Sequence, residues 1–245
     1  MATVDGVPLE PLPSAWDFPG PERFHADDDL VATGADLEPG TLLEAYRRGL
    51  FPMPLGGRRA PMAWFSPVRR GVLAPAELRV SRSLRRAART FELRVDTACA
   101  EVIDACADPR RPSGWIDGRI RTAYLRLHEL GWVHSVETWR DGRLVGGLYG
   151  VAIGGLFAGE SMFHRETDAS KVALLGLAAL LDDGKDRLVD TQWQTPHLAS
   201  LGAREMDRAQ YLDRLRVVLA TPHADFGRTL GPRRAYGPTS RHSGA

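Results

Sequence analysis

The chain has 245 residues, of which 43% are hydrophobic and 26% are charged, a composition typical of a soluble globular protein. Its 32 basic and 31 acidic side chains leave a formal net charge of +1, a balance that excludes little by itself. The longest nearly apolar run, residues 172–181, is about half of the ~20 residues that a membrane-spanning helix needs, so no membrane association is expected. Because the N-terminus also lacks the basic and apolar regions of a secretory signal, we expect a cytoplasmic protein.

The first part of the chain contains one predicted helix. Residues 1–35 are rich in proline and lack a sustained periodicity, which predicts an extended segment. Pro39 at a first helical position and Gly49 at the end predict a short helix between them.

Prolines then interrupt the chain again. The sequence FPMP at 51–54 should stop the helix, and residues 56–67 predict a loop. A strand is expected at 70–75, and we place a domain boundary near residue 70. Residues 1–70 would therefore form a small N-terminal domain.

The rest of the chain predicts alternating helices and strands. Ser81 and Asp117 are suitable N-cap residues for two of the helices. The predicted order is helix 81–90, strand 91–96, helix 97–108, helix 118–131, three strands within 134–163, helix 170–184, strand 187–193 and helix 208–220. Turns at 141–142 and 154–155 make the three strands an antiparallel meander. This gives a domain over 71–222, followed by a tail, 223–245, that we expect to be disordered.

This α+β order is shared by the GCN5-related N-acetyltransferase architecture. Enzymes of that class bind the pyrophosphate of acetyl-CoA at a glycine-rich turn after the meander. Here no glycine occurs between Gly159 and Gly176, so such a turn is not expected. No spacing of histidines and cysteines is typical of a metal site either. The only two cysteines, Cys99 and Cys106, are expected to be reduced core thiols.

The net charge conceals a basic segment. Residues 58–94 contain ten arginines and only two acidic residues. Four of these arginines share the predicted helix 81–90, namely Arg82, Arg85, Arg86 and Arg89. On charge alone, this face could contact nucleic-acid phosphates or be an ordinary solvated surface.

Asp190 and Gln192 are two apart on a predicted strand, so their side chains should leave the same face of the sheet. A carboxylate beside an amide forms a natural hydrogen-bonded pair, in which the carboxylate accepts from the amide NH2. The alternative is a solvent-facing polar pair at the end of the strand.

Three further residues each allow two interpretations. Glu160 is a lone carboxylate in an apolar strand and could be a structural ion-pair partner or could face a ligand. Trp115 lies in a loop and could stack on a nucleobase or cover the core. His197 follows the strand of Asp190 closely, but a capping or core position is the stronger interpretation.

Several sequence strings occur together in one order. They include LLEAYRRGLFP, LRVSRSLRR, LVGGLYGVAIGGLFAGESMF, LVDTQ and TPHLASLGA. Over roughly residues 28–215 the chain resembles the leucyl/phenylalanyl-tRNA–protein transferase family of the bacterial N-degron pathway.

The resemblance implies an aminoacyltransferase that moves leucine or phenylalanine, with methionine a further candidate, from aminoacyl-tRNA to proteins with N-terminal Arg or Lys. This marks the acceptor for degradation. It also implies a small N-terminal domain followed by an acetyltransferase-like domain. Because the aminoacyl ester is already activated, no acyl-CoA, ATP, metal or other cofactor is expected, and a monomer is expected.

The resemblance also implies roles for individual residues. Asp190 and Gln192 match the catalytic pair, in which Asp190 would orient the Gln192 amide towards the attacking amine. The four arginines of 81–90 match the tRNA-binding surface. The substrate-binding positions implied are Met53, Trp115, Leu148, Phe157, Glu160 and Met162.

The chain departs from the family pattern at five positions, two of which are Ala35, in the family's GGDL string, and Gly114, where the family has threonine before the tryptophan. Met53 replaces a tryptophan, Leu148 stands where methionine is common, and His164 stands where serine is common. These changes concern the amino-acid pocket, so the resemblance does not fix the donor preference. Two alternative functions, a CoA-dependent N-acyltransferase and a non-catalytic RNA-binding protein, are disfavoured by the absent glycine turn and by the retained Asp190 and Gln192.

Overall fold

A computed structural model describes residues 3–4, 7–56, 60–111, 114–227 and 230 of the chain. Within these ranges the helices include two single-turn 3-10 segments, Pro21–Arg23 and Pro75–Glu77. Every helix in this part of the chain is too short or too polar to cross a membrane.

The strands are β1 (Thr3–Val4), β2 (Val7–Pro8), β3 (Leu30–Thr33), β4 (Phe51–Pro54), β5 (Met62–Phe65), β6 (Arg69–Leu73), β7 (Glu92–Val95), β8 (Val133–Arg140), β9 (Arg143–Ile153), β10 (Leu156–His164), β11 (Leu188–Gln192) and β12 (Arg204–Asp207). The α-helices are α1 (Pro39–Arg47), α2 (Arg82–Ala88), α3 (Cys99–Cys106), α4 (Gly118–Glu129), α5 (Ala169–Leu181), α6 (Pro196–Ser200) and α7 (Arg208–Leu219).

A seven-stranded sheet with the order β12-β6-β11-β10-β9-β8-β7 forms the centre of the molecule. The predicted meander is confirmed, because β8, β9 and β10 pair antiparallel. β10 and β11 pair in parallel, and α5 forms the crossover that a parallel pair requires. The other neighbouring pairs of this sheet are antiparallel. The α+β class with a mostly antiparallel central sheet is therefore confirmed.

The loop predicted over 56–67 is wrong for its C-terminal part, which forms β5 in a second sheet of order β3-β5-β4. The sequence FPMP is itself strand β4, although two prolines usually argue against a strand. Among the described strands, β4 lies at the edge of this sheet and pairs only with β5. An edge strand tolerates proline because its outward positions need no N–H donor.

The predicted helix starts are confirmed at atomic detail. Pro39 is the first residue of α1. The Ser81 hydroxyl accepts a hydrogen bond from the backbone N–H of Leu84 at 3.1 Å, which caps α2. The Asp117 carboxylate accepts from the N–H groups of Arg119 and Ile120 at 2.8 and 3.1 Å and caps α4. The predictions missed α6 and β12, because elements of five and four residues are too short to show a periodicity.

Residues 1–70 share their hydrophobic core with the central sheet. One cluster of buried side chains contains Tyr46 of α1 and Trp64 of β5 together with Tyr124 of α4 and Tyr211 of α7. Helix α5 is buried along nearly its whole surface between the sheet and α2, and belongs to a second cluster. The N-terminal elements are thus packed directly onto the elements that build the site.

The first residues of the tail that we expected to be disordered are packed against the rest of the protein. Phe226 is buried and stacks on the ring of His134, with 4.0 Å between the ring centroids. The buried Arg187 donates to the carbonyl oxygens of Pro222 and His223 and holds this segment against the sheet. Aromatic burial and an arginine anchor, rather than composition, order residues 222–227. Most of the predicted tail, 228–229 and 231–245, lies outside the described residues.

Candidate functional site

The central sheet opens where β10 and β11 stop pairing. Their last parallel pair is Ala158 with Asp190. Each strand then departs from regular pairing, between Gly159 and Ser161 in β10 and between Asp190 and Gln192 in β11. A cavity of about 240 Å³ lies at this divergence. Pockets for drug-sized ligands have roughly 300–1,000 Å³, so this one suits a single amino-acid side chain.

Apolar side chains form most of the cavity wall. Leu148 of β9, together with Phe157 and Met162 of β10, lines it as the resemblance implies. Leu174 and Leu177 of α5 complete the apolar part. The cavity is therefore built to bury an apolar group beside the polar side chains at the strand ends.

Glu160 is the central polar residue of the cavity and is only 6% exposed. Its Oε1 accepts a hydrogen bond from the Tyr46 hydroxyl at 2.7 Å and from the Gln192 Nε2 at 3.1 Å. Its Oε2 lies 3.0 Å from the Tyr124 hydroxyl, and the two tyrosine hydroxyls are also within hydrogen-bond distance of each other. Two hydroxyl protons serve only two of the three contacts among these groups, so the third is filled when Glu160 carries a proton of its own. No cation of the described chain pairs with Glu160, so the ion-pair interpretation is wrong and the carboxylate faces the cavity.

Burial is the main cause that raises the pKa of Glu160, which reaches about 7. The negative charge of Asp190 raises this pKa further, whereas the hydrogen bonds from Tyr46, Tyr124 and Gln192 lower it. Burial also raises the pKa of both tyrosines well above the ordinary value of 10.0, so both remain hydroxyl donors. A carboxyl group that titrates near neutral pH is suited to proton transfer under physiological conditions.

Asp190 is fully buried and faces away from the substrate cavity into an ion pair. Its two oxygens accept from Nε and Nη2 of Arg70 at 2.8 and 2.6 Å, and Oδ2 also accepts from the Tyr211 hydroxyl at 2.8 Å. Its remaining contact with Gln192 is to the backbone N–H, at 2.9 Å. The carboxylate therefore holds the backbone of Gln192 and not its side chain.

The predicted Asp190–Gln192 side-chain pair is thus wrong in its geometry. The bulge between the two residues and the left-handed backbone of Gln192, with φ of 62°, break the alternation of the strand. The Gln192 amide turns towards Glu160 instead. Since Nε2 donates to that carboxylate, Oε1 remains available as an acceptor: no group of the described chain donates to it.

Arg70 connects the N-terminal elements to this arrangement. Its guanidinium lies over the rings of Phe51 and Tyr211, 4.8 and 4.4 Å from their centroids. Its Nη1 donates to the carbonyl oxygen of Gly49 at 3.0 Å. Both partners of the ion pair are only 1% exposed, and the turn after α1 and the first residue of β4 lie against Arg70.

Sequence reasoning missed four residues that organise the site: Tyr46, Arg70, Tyr124 and Tyr211. They come from α1, β6, α4 and α7; the three tyrosines are ordinary members of helix core faces, and Arg70 is one of the ten arginines of the basic segment. The only available signal was indirect, because the two buried carboxylates each required donors.

The remaining implied substrate residues lie elsewhere. Trp115 and Met53 are not among the residues that line the cavity. Trp115 packs against the core cluster, and Met53 lies in β4 opposite Ala63. His197 is exposed on α6 and lines the cavity, so its core interpretation is wrong.

Helix α2 and its C-cap carry four exposed arginines of the basic segment. Arg69, Arg70 and Arg94 of that segment each pair with a carboxylate. In the described chain no carboxylate pairs with the exposed Arg82, Arg85 and Arg86 of α2 or with Arg89 at its C-cap. The structure thus leaves four positive charges available on this short helix and its C-cap.

The chain was compared with solved structures and with known protein families, and the families assign it. A GCN5-related N-acetyltransferase-like protein from Streptococcus suis is similar with a TM-score of 0.32 and 13% identity, covering 57% of each chain. A leucyl/phenylalanyl-tRNA–protein transferase of Aromatoleum aromaticum is 57% identical over 200 residues, which cover 80% of this chain and 84% of that protein. The enzyme of the same name from Thiobacillus denitrificans is 52% identical over 219 residues, or 87% of this chain and 95% of that protein.

Two family profiles match consecutive parts of the chain. The profile of the leucyl/phenylalanyl-tRNA protein transferase N-terminal domain matches residues 35–68. The profile of the leucyl/phenylalanyl-tRNA protein transferase itself matches residues 72–216, which include β9, β10, β11 and the cavity between them. The chain therefore belongs to the leucyl/phenylalanyl-tRNA–protein transferase family of enzymes.

Proposed function

We propose that this chain transfers leucine or phenylalanine from aminoacyl-tRNA to the N-terminal Arg or Lys of acceptor proteins. The observation that carries the proposal is the position of Glu160 and Gln192, two hydrogen-bonded polar side chains at the edge of a cavity of about 240 Å³ with apolar walls. The apolar part suits the side chain of the donor amino acid. The polar edge lies where the ester would meet the acceptor amine.

The reaction is aminolysis of an ester. The α-amine of the acceptor attacks the ester carbonyl carbon, a C–N bond forms, and the bond from that carbon to the ribose oxygen of the tRNA breaks. The amine loses a proton and the ribose oxygen gains one. Because an α-amine has a pKa of about 7.7–8.0, a group that titrates near neutral pH is needed to accept its proton efficiently.

Gln192 and Glu160 divide this task in our proposal. The free Oε1 of Gln192 accepts a hydrogen bond from the amine and places its lone pair towards the carbonyl carbon. Glu160, with its pKa raised to about 7, accepts the proton, directly or through one water molecule. Tyr46 and Tyr124 fix the orientation of the carboxylate.

Asp190 is a positioning residue in this mechanism. Its buried ion pair with Arg70 keeps it out of contact with the substrate, while its Oδ1 accepts a hydrogen bond from the backbone N–H of Gln192 at 2.9 Å. The pair fixes the left-handed backbone of Gln192 that turns the amide into the cavity. Asp190 therefore acts on the reaction through Gln192.

The exposed arginines of α2 support tRNA binding in the same proposal. Among the described residues, the four guanidinium groups of α2 and its C-cap have no carboxylate partner, and they form a surface for the phosphates of an RNA backbone. We further propose that methionine, which is also unbranched at Cβ, is accepted as a donor, that the chain acts as a monomer, and that it acts in the cytoplasm, where charged tRNA is available.

A single assay tests the function. Leucyl-tRNA is incubated with the protein and a peptide that begins with Arg, and mass spectrometry detects the addition of one leucine. A matched peptide that begins with Ala is the control. We expect addition to the first peptide only; an unmodified Arg peptide would refute the proposal, and equal modification of both would refute the acceptor specificity.

A further inference from the structure

A second pocket lies beside the amino-acid cavity, and it is basic. It has about 380 Å³ and lies between the end of α3 and the end of β10. Its charged lining residues are Asp108, Arg110, Arg111 and Arg165, with His164 beside them. Arg111 also lines the amino-acid cavity, so the two pockets share a wall.

Two of the guanidinium groups have no carboxylate partner in the described chain. Arg111 donates from Nη1 to the carbonyl oxygen of Cys106 at 2.9 Å and from Nη2 to that of Met162 at 2.8 Å. Arg165 donates from Nη1 to the carbonyl oxygen of Leu144 at 2.8 Å. Neutral carbonyl groups orient these side chains but do not neutralise them, so both remain available to an anion.

The single carboxylate of the pocket is already engaged. Asp108 pairs with Arg110 at 2.7 Å, and hydrogen bonds from Arg110 lower the pKa of Asp108 to about 2. The positive charges of Arg111 and Arg165 are left uncompensated. The pocket therefore attracts an anion and repels an acceptor that begins with Arg or Lys.

We propose that this pocket binds the phosphodiester that precedes the terminal nucleoside of the donor RNA. The inference rests on the proposed function, which places the aminoacyl ester in the neighbouring cavity. An RNA chain that leaves this cavity carries its first phosphate one nucleoside away from the ester, and the shared Arg111 marks the wall that it crosses. The guanidinium fork matches the geometry of phosphate oxygens.

The pocket is also connected to the basic face of α2. Arg140 hydrogen-bonds to Glu166, the neighbour of Arg165, and to the carbonyl oxygen of Thr90, which lies just beyond α2. The pocket would hold the 3′ end of the RNA, whereas α2 would contact phosphates of its double-helical part. The two surfaces should therefore respond to different lengths of donor.

Three donors separate these contributions: leucyl-adenosine, which has no phosphate; the leucyl ester of the trinucleotide CCA; and leucyl-tRNA. For wild type, the KM for the trinucleotide should be lower than that for leucyl-adenosine. We call the ratio of these two KM values the trinucleotide advantage, and in Arg165→Gln it should fall by about tenfold, the size of one charge-assisted contact. Arg85→Gln on α2 should raise the KM for leucyl-tRNA and leave the trinucleotide advantage intact.

The salt dependence gives an independent measure. The slope of log affinity against log salt for the trinucleotide should flatten by about 0.7 in Arg165→Gln, as expected for one lost contact to a single strand. Arg216→Gln, a variant of an arginine on α7 that is 71% exposed, is the control and should behave as wild type with all three donors.

The outcomes distinguish the inference from the function on which it rests. If wild type transfers leucine but Arg165→Gln keeps the full trinucleotide advantage, the phosphate site is refuted and the function stands. If Arg165→Gln raised the KM for leucyl-adenosine as much as that for the trinucleotide, the phosphate site would also be refuted, because Arg165 would then act on the shape of the cavity. If wild type uses none of the donors, the proposed function fails, and the inference fails with it.

Discussion

Replacing Glu160 with glutamine should make the protein more stable and nearly inactive. The carboxylate is buried, its pKa is raised to about 7, and its partners are the hydroxyls of Tyr46 and Tyr124 and the amide of Gln192. Glutamine keeps the shape and removes the charge. Because each hydroxyl can donate or accept, the hydrogen bonds can rearrange around the new amide.

The stability change follows from the difference between the folded and unfolded pKa values. A pKa of about 7 in the folded state against 4.5 for the free side chain corresponds to about 3 kcal/mol. Between these values the folded state binds the proton that the unfolded state has lost, so the unfolding free energy of wild type falls as pH rises through this window. Below pH 4.5 this penalty is absent, and above pH 7 it is fully present. The unfolding free energy of Glu160→Gln should therefore exceed that of wild type by an amount that grows to about 3 kcal/mol as the pH rises from 4.5 to 8.

Urea unfolding at pH 5 and pH 8 measures this gain for wild type and variant. Glu101→Gln, which removes an exposed carboxylate from α3, controls for the loss of one surface charge. A stability difference between wild type and Glu160→Gln that is the same at both pH values would refute the raised pKa.

Activity provides the second half of the same test. If Glu160 accepts the proton, Glu160→Gln should lower kcat by about 10²–10⁴-fold. Wild-type kcat/KM should rise with pH in two steps, one near 7 from Glu160 and one near 8 from the acceptor amine, and the variant should keep only the step of the amine. A variant that retains the step near 7 and changes only the KM for the donor would show that Glu160 binds the donor and is not the base.

Three further variants test separate parts of the structure. Asp190→Ala should lower the unfolding free energy measured in urea by about 3–5 kcal/mol, because it leaves Arg70 buried without its partner. Adding Arg70→Leu should restore part of the lost stability. An Asp190→Ala variant as stable as wild type would contradict the buried pair. Arg85→Glu with Arg86→Glu should weaken the binding of all accepted tRNAs alike in filter-binding assays, whereas a loss confined to one tRNA would contradict a phosphate surface. Phe226→Ala should lower the unfolding free energy by about 2 kcal/mol, because the ring is buried against His134, and should leave kcat unchanged. An unaltered unfolding midpoint would show that residues 222–227 do not anchor the sheet.

Local sequence signals were sufficient for most of the elements. Pro39, Ser81 and Asp117 mark helix starts that the structure confirms, because capping depends on a few adjacent residues. The turns of the meander are encoded in the same local way. β4 and its two prolines were missed because the tolerance for proline depends on the edge position, which is a property of the assembled sheet.

The sequence by itself determined the class of the fold, the family and the positions of Asp190, Gln192 and Glu160. Only the tertiary structure decided which of these side chains contact each other. Gln192 reaches Glu160, 32 positions away, and Asp190 pairs with Arg70, 120 positions away, so no local period could reveal either contact. The bulge that reverses the expected Asp190–Gln192 pairing lies where β11 pairs with β6, a strand more than 100 positions away in the sequence. Hydrogen bonds between distant segments, and not strand alternation, therefore determine what each carboxylate does.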